Sequence, residues 1–141
     1  MKDSIYEANY KRLEALGIVT PDGTLRPDGR SKSDGYMDLV YERLEYMEDL
    51  LTPGSIAISL AHYFKQNGDL CQDPEMVVLV YPESRQAEAF SFQQAIPSIY
   101  QEVYPEPGKV APKAKEALNG FLGTWLENLV HQGHRKSWFN D

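Results

Sequence analysis

The chain has 141 residues, the usual size of one domain, and apolar residues make up 42% of it, which is typical of a folded protein. Asp and Glu outnumber Lys and Arg by 21 to 14, and the formal net charge of -7 disfavours direct binding to nucleic acids or anionic membranes. Cys71 is the single cysteine, which excludes an internal disulfide, and no signal peptide or membrane-length apolar run is found, so we expect a cytoplasmic protein.

The N-terminal residues predict a helix over 4–16 followed by a loop. Ser4 and Glu7 have the spacing of a capping box, and apolar residues recur at helical spacing up to Gly17, which favours a left-handed stop. The segment 17–35 carries two Pro-Asp-Gly turn signals among polar residues. It is therefore predicted to be a polar loop.

The middle of the chain predicts an antiparallel meander of four to five strands. The segment 36–47 fits a helix or a strand, with a slight preference for the strand. A reversal is predicted at Asn67-Gly68, with a long irregular connection after it. Further strands are indicated by alternation or by β-rich composition at 55–65, 76–81, 87–93 and 99–104.

The C-terminal part predicts a second helix over 112–132. Pro112 suits a first helical turn, and an apolar stripe predicts that Trp125 is buried. His131 and His134 are interpreted as cations at the negative end of this helix, and 134–141 as a C-terminal tail. The expected fold is a single α+β domain over 1–141, with both helices packed on one face of the sheet.

Several segments in the last two-thirds of the chain resemble the signature of a bacterial family of small proteins of unknown function. The stretch 59–75 reads SLAHYFKQNGDLCQDPE, and it is followed by EAFSFQQ at 88–94, IYQEVY at 99–104 and the helix around 118–133. Proteins of this family are often carried by integrative elements, plasmids and phages. The resemblance implies a shared fold and a mobile-element setting, but no activity and no catalytic residue.

One cluster of polar residues predicts a candidate metal site. His62, Asp69, Asp73 and Glu75 offer the oxygen and nitrogen ligands that Mg²⁺ or Mn²⁺ accepts, although the spacing is not that of an EF-hand. The alternative is that these carboxylates only bond nearby backbone groups around a turn at Asn67. The metal interpretation corresponds to a metal-dependent hydrolase or nuclease.

A second set of residues predicts a surface for a protein partner. Asp38, Glu42, Glu45, Glu48 and Asp49 form an acidic run that either imitates a phosphate backbone or is an ordinary solvated face. Aromatic anchors are expected at Tyr100 and Trp138, the latter docking on this chain or on another. The leading hypothesis is a non-enzymatic binding or regulatory protein of a mobile element, without a cofactor, that inhibits a host nucleic-acid-binding or defence protein.

Overall fold

The computed structural model describes residues 4–33, 35–48, 53–66, 69–95, 98–106, 108–134 and 138–139, with the backbone alone at 64–66, 69–73 and 139. Within these residues the chain forms two α-helices, a short 3-10 turn and one seven-stranded sheet. In chain order they are α1 (Ile5–Ala15), β1 (Gly29–Ser31), β2 (Leu39–Arg43), the 3-10 turn (Glu45–Met47), β3 (Ile56–Gln66), β4 (Asp69–Tyr81), β5 (Gln86–Gln94), β6 (Ile99–Glu102), α2 (Pro112–His131) and β7 (Trp138–Phe139).

The sheet order is β6-β5-β4-β3-β2-β1-β7, and every neighbouring pair is antiparallel. The first six strands follow one another as a meander, which confirms the predicted α+β class and topology. The predicted number of four to five strands was too low. The additional strands are β1 and β7, which are only three and two residues long and carry little alternation to detect.

The N-terminal helix begins as its capping box predicts. Ser4 Oγ accepts a hydrogen bond from the backbone N–H of Glu7 at 3.1 Å, and Glu7 Oε1 accepts from the N–H of Ser4 at 3.2 Å. Gly17 follows the helix with a φ of 82°, a conformation that glycine adopts without strain.

The segment 17–35 is not the polar loop that its turn signals suggested. Ile18, Val19 and Leu25 are buried in the core, and Val19 pairs with Leu25 in an isolated β-bridge. A turn forms at the first signal, where the N–H of Gly23 donates to the carbonyl of Thr20, but Gly29 of the second signal begins β1, and the buried apolar residues bring this part of the chain back against the sheet. The preference for a strand within 36–47 is confirmed by β2.

The hairpin of β3 and β4 is longer and more regular than predicted. The expected irregular connection belongs to β4, since pairs run from Tyr63 with Gln72 to Gln66 with Asp69. The predicted reversal at 67–68 lies outside the described residues. Because β2 pairs with β3 only as far as Ala61, and β5 with β4 only from Glu75, the described distal strands pair with each other alone.

One face of the sheet carries the hydrophobic core. The strand register brings Tyr41, Leu60 and Met76 side by side, and these residues share one buried cluster with leucines of both helices. Both helices therefore pack on the same face, as predicted. Trp125 of α2 is only 8% exposed, which confirms its predicted burial. Neither described helix is long and apolar enough to cross a membrane.

The C-terminal residues 138–139 correct the prediction of a tail. They pair with β1 and so extend the sheet, while Trp138 Nε1 donates a hydrogen bond to the carbonyl of Leu16 at 2.7 Å. The indole also meets Tyr41 edge to face and lies under the Arg26 guanidinium, 4.7 Å from the ring centroid. Trp138 thus docks on its own chain.

Candidate functional site

The predicted metal residues do not converge in the part of the chain that is described. Glu75 Oε2 accepts a hydrogen bond from Ser59 Oγ at 3.0 Å, whereas His62 lies on the opposite face of β3, against the ring of Trp125. The side chains of Asp69 and Asp73 lie outside the described residues. The described side chains contain no group of three or more His, Cys, Asp or Glu that could hold a metal ion. The hydrolase alternative therefore stays a prediction without a supporting contact.

Part of the acidic run is neutralised by arginines. Arg43 Nε lies 3.0 Å from Glu48 Oε1, and Arg30 Nη1 lies 3.7 Å from Asp38 Oδ2. Glu45 is exposed on the 3-10 turn. The pairing leaves a weaker negative surface than the sequence alone suggests.

The other predicted partner-binding residues have different environments. Asp49 lies outside the described residues. Tyr100 is 58% exposed on the edge strand β6, where a partner can reach it, but Trp138 packs against the core. Only Tyr100 of the two aromatic residues is placed as a surface anchor requires.

Three tyrosines line a cleft that the sequence did not predict. This cleft, of about 300 Å³, occupies the outer side of β5 near its start, because β6 pairs only with the later residues Ser91 to Gln94. We call it the tyrosine cleft, and it is lined by Tyr6, Tyr81, Ser84, Gln86, Glu88, Tyr104 and Lys115.

Glu88 is the central polar group of the tyrosine cleft. It is only 9% exposed, and its two oxygens accept hydrogen bonds from Tyr81 at 2.6 Å and Tyr104 at 2.9 Å. Burial, followed by the bond to Glu88, raises the pKa of Tyr104, so its hydroxyl stays protonated and donating. Among the described residues Glu88 forms no ion pair. The cleft thus holds a buried carboxylate bonded only to neutral donors.

The walls of the tyrosine cleft are aromatic, and one cation lies at their edge. The Lys115 ammonium is 5.6 Å from the centroid of the Tyr6 ring. Both residues also line an adjoining groove of about 480 Å³, where Ile5 and Val110 expose apolar surface. The combined surface offers a carboxylate, aromatic faces and an apolar extension, which suit a cationic group on an aliphatic stem.

A buried asparagine holds α2 against the start of β5. Asn119 Oδ1 accepts from the N–H of Ala89 at 2.8 Å, next to an irregularity in the pairing of β4 and β5. Its Nδ2 donates to the carbonyl of Lys115 at 2.8 Å. These two hydrogen bonds fix where α2 lies along β5, and therefore the position of Lys115 beside the cleft.

The sequence carried only a partial signal for this cleft. Glu88 and Tyr104 belong to two of the segments that resemble the family, but no spacing rule joins them to Tyr6 or Tyr81. The lining residues come together only because β4 and β5 are neighbours in the sheet and both helices pack on it.

Comparison with known proteins supports a family assignment. No curated protein and no solved structure matches the chain. One family model, described as Domain of unknown function (DUF6908), matches residues 12–135, a range that contains Tyr81, Glu88, Tyr104 and Lys115 of the cleft but not Tyr6. Because this range covers most of the chain, the protein belongs to the family described as Domain of unknown function (DUF6908).

Proposed function

We propose that the chain is a non-enzymatic binding or regulatory protein, and that its tyrosine cleft receives a positively charged side chain of a basic protein partner. The observation that carries this proposal is the buried Glu88 carboxylate, which accepts from two tyrosine hydroxyls and has no ion pair among the described residues. A lysine or arginine entering the cleft would supply the missing positive charge.

The physical basis is an acceptor that is already desolvated. Glu88 is mostly shielded from water by the fold, so a cation that reaches it displaces few waters from the carboxylate. Hydrogen bonds to charged groups contribute about 1.5–3 kcal/mol each. The faces of Tyr6, Tyr81 and Tyr104 add cation–π attraction, which is stronger in a partly desolvated cleft.

The proposed partner class follows from charge and from the family resemblance. A net charge of -7 attracts basic proteins over a distance, and proteins that bind nucleic acids are commonly basic. We therefore propose a host nucleic-acid-binding or defence protein as the partner, met in the cytoplasm. The mobile-element setting rests on the resemblance of the segments at 59–75, 88–94 and 99–104.

The cleft can be tested with small probes. Tyrosine ring resonances are followed by NMR during titration with a capped Arg-Arg dipeptide and with a capped Gln-Gln dipeptide. We expect the arginine probe to bind and the glutamine probe not to. Glu88→Gln should weaken arginine binding at least about tenfold, which corresponds to about 1.4 kcal/mol, whereas the exposed control Glu83→Gln should not.

Three results would contradict the proposal. The first is equal binding of the two dipeptides, and the second is a folded Glu88→Gln variant that binds the arginine probe as tightly as the original chain. The third is undiminished recovery, with Glu88→Gln as bait, of a protein that the original tagged chain recovers from host lysate. We expect the variant to lose this protein, and undiminished recovery would place the interface elsewhere.

A further inference from the structure

The groove beside the tyrosine cleft shares two of its lining residues. It has a volume of about 480 Å³ and lies between the start of α1 and the first turns of α2, whereas the cleft has a volume of about 300 Å³. Tyr6 and Lys115 line both spaces, so the cleft and the groove meet along this pair. Both volumes fall in the range of about 300–1,000 Å³ that is typical of ligand pockets. The cleft and the groove therefore form one continuous concave surface.

The groove exposes hydrocarbon and has no excess of charge. Ile5 is 39% exposed on α1, and Val110 is 46% exposed in the segment before α2. Among the large apolar residues that the structure describes, Ile99 is the one other branched aliphatic side chain that is exposed. Lys115 and Glu116 bring one charge of each sign to the groove, so charge gives no preference there. The exposed hydrocarbon therefore favours an aliphatic group.

The floor of the groove has room for such a group. Gly120 of α2 lines the groove, and a Cβ added to it would meet nothing within 4 Å. The neighbouring Asn119 has its Oδ1 bonded to the N–H of Ala89 and its Nδ2 bonded to the carbonyl of Lys115. An apolar group in the groove thus leaves both polar atoms of this side chain with their partners.

We infer that the groove binds an aliphatic side chain of the same partner segment whose cation enters the tyrosine cleft. The partner is then recognised by a basic residue and an aliphatic residue of about the size of leucine. This inference rests on the proposed function, because the cation bonded to Glu88 fixes where the partner segment lies. Glu88 supplies the charge complementarity, and the groove supplies a contact that selects among basic segments.

The wall between the two spaces sets the spacing of the two partner residues. The Lys115 ammonium lies 5.6 Å from the centroid of the Tyr6 ring, and both residues belong to the cleft and to the groove. In an extended segment, side chains two residues apart point to the same face and are separated by about 7 Å, whereas adjacent side chains point to opposite faces. Residues two positions apart therefore reach both sides of the wall.

The experiment compares capped peptides in NMR titrations of the original chain. Arg-Gly-Leu and Leu-Gly-Arg present the two chain directions, and the same peptides with serine in place of leucine are the references. We expect one of the leucine peptides to bind at least about fivefold more tightly than its reference, because its side chain leaves water. Capped Arg-Leu should gain less than about twofold over Arg-Ser, because its two side chains point to opposite faces.

Two variants place the leucine in the groove. Gly120→Leu fills the floor and should reduce the gain from leucine to less than about twofold without weakening the serine peptides, because Gly120 is not part of the described lining of the cleft. Val110→Thr keeps a similar shape but is more polar, and it should also reduce the gain. Thr124→Leu is the matched control, since Thr124 is exposed one turn farther along α2 and outside the described lining of both spaces.

Failure of this inference and failure of the proposed function give different results. If the arginine peptides bind through Glu88 but leucine adds nothing in either direction, the inference alone is overturned. A gain that persists in both Gly120→Leu and Val110→Thr also overturns it, because the leucine then binds elsewhere. If no arginine peptide binds, the cleft holds no cation and both proposals fail. If Gly120→Leu does not fold, Val110→Thr decides.

Discussion

Asn119 is the side chain that joins α2 to the sheet, since its Oδ1 accepts from the N–H of Ala89. We expect Asn119→Ala to lower the free energy of unfolding by about 1–3 kcal/mol, because it leaves that buried N–H without a partner. Chemical denaturation measures this change. Asn128→Ala, at an exposed position of the same helix, is the control and should change stability by less than about 0.5 kcal/mol. Equal effects of the two substitutions would show that the contact with Ala89 does not stabilise the fold.

Tyr41 makes the stability of the fold sensitive to high pH. Burial raises the pKa of its hydroxyl from 10.0 to about 12, with Asp28 acting in the same direction. The folded chain therefore holds this proton more tightly than the unfolded chain. The contribution is fully present below pH 10 and is lost as the pH rises towards 12.

We accordingly expect the free energy of unfolding to fall over this pH range, and to fall less in Tyr41→Phe. At neutral pH the same variant should be less stable by about 1 kcal/mol, because the hydrogen bond to the carbonyl of Arg26 is lost. Tyr46→Phe serves as the control, since Tyr46 is 83% exposed. An identical alkaline loss in the Tyr41 and Tyr46 variants would assign the effect to other groups.

At the level of elements, the contact between α1 and α2 depends on a glycine that the stripe of apolar residues does not reveal. A Cβ added at Gly123 would lie 3.0 Å from Arg12 Nη1 and 3.1 Å from Asn9 Oδ1, while a Cβ at Gly120 meets nothing within 4 Å. Arg12 donates to Asn9 at 2.9 Å, so the added methyl group would disturb this pair.

Two alanine variants test this contact. Gly120→Ala should raise the free energy of unfolding by about 0.5–1 kcal/mol, because alanine favours the helix. Gly123→Ala gains the same preference but must displace Arg12 or Asn9, so we expect it to be at least about 1 kcal/mol less stable than Gly120→Ala. Thermal or chemical unfolding of both variants measures the difference. Equal stabilisation by the two would mean that Arg12 and Asn9 make room for the added methyl group with no loss in the free energy of unfolding.

For the whole molecule, the charge balance predicts how a basic ligand associates. We expect Glu45→Lys to slow association of a hexa-arginine peptide, because the exposed carboxylate of Glu45 attracts the peptide whereas a lysine there would repel it. Glu48→Lys should slow it as well, although it also releases Arg43 from its pair. Surface plasmon resonance separates the association rate from the dissociation rate.

The same measurement includes a salt series. Raising the salt from about 0.1 M to about 1 M shortens the Debye length from about 10 Å to about 3 Å and should slow association of the peptide. The contact with the buried Glu88 is screened less, so the dissociation rate should change less. Salt-independent association would rule out attraction by the acidic surface.

How much of this protein is visible in its sequence differs between elements. The ends of α1 follow from Ser4, Glu7 and Gly17, because a capping box and a left-handed stop are made by residues within a few positions of each other. The central strand β3 and the stripe of α2 follow from periodicity alone. The strands β1 and β7 do not, because each is too short to show a period and is stabilised mainly by its neighbour in the sheet.

By itself, the sequence determined the α+β class, both helices, the capping box of α1, the meander and the burial of Trp125, since each depends on residues close together in the chain or on a repeated pattern. Only the tertiary structure decided which polar residues meet. Glu88 bonds to Tyr104, which follows β6, the ring of His62 lies beside that of His134 although the two are far apart in sequence, and Glu75 bonds to Ser59 and not to His62. These encounters depend on strand register and helix packing, and a one-residue change of register would reverse the face on which each side chain lies.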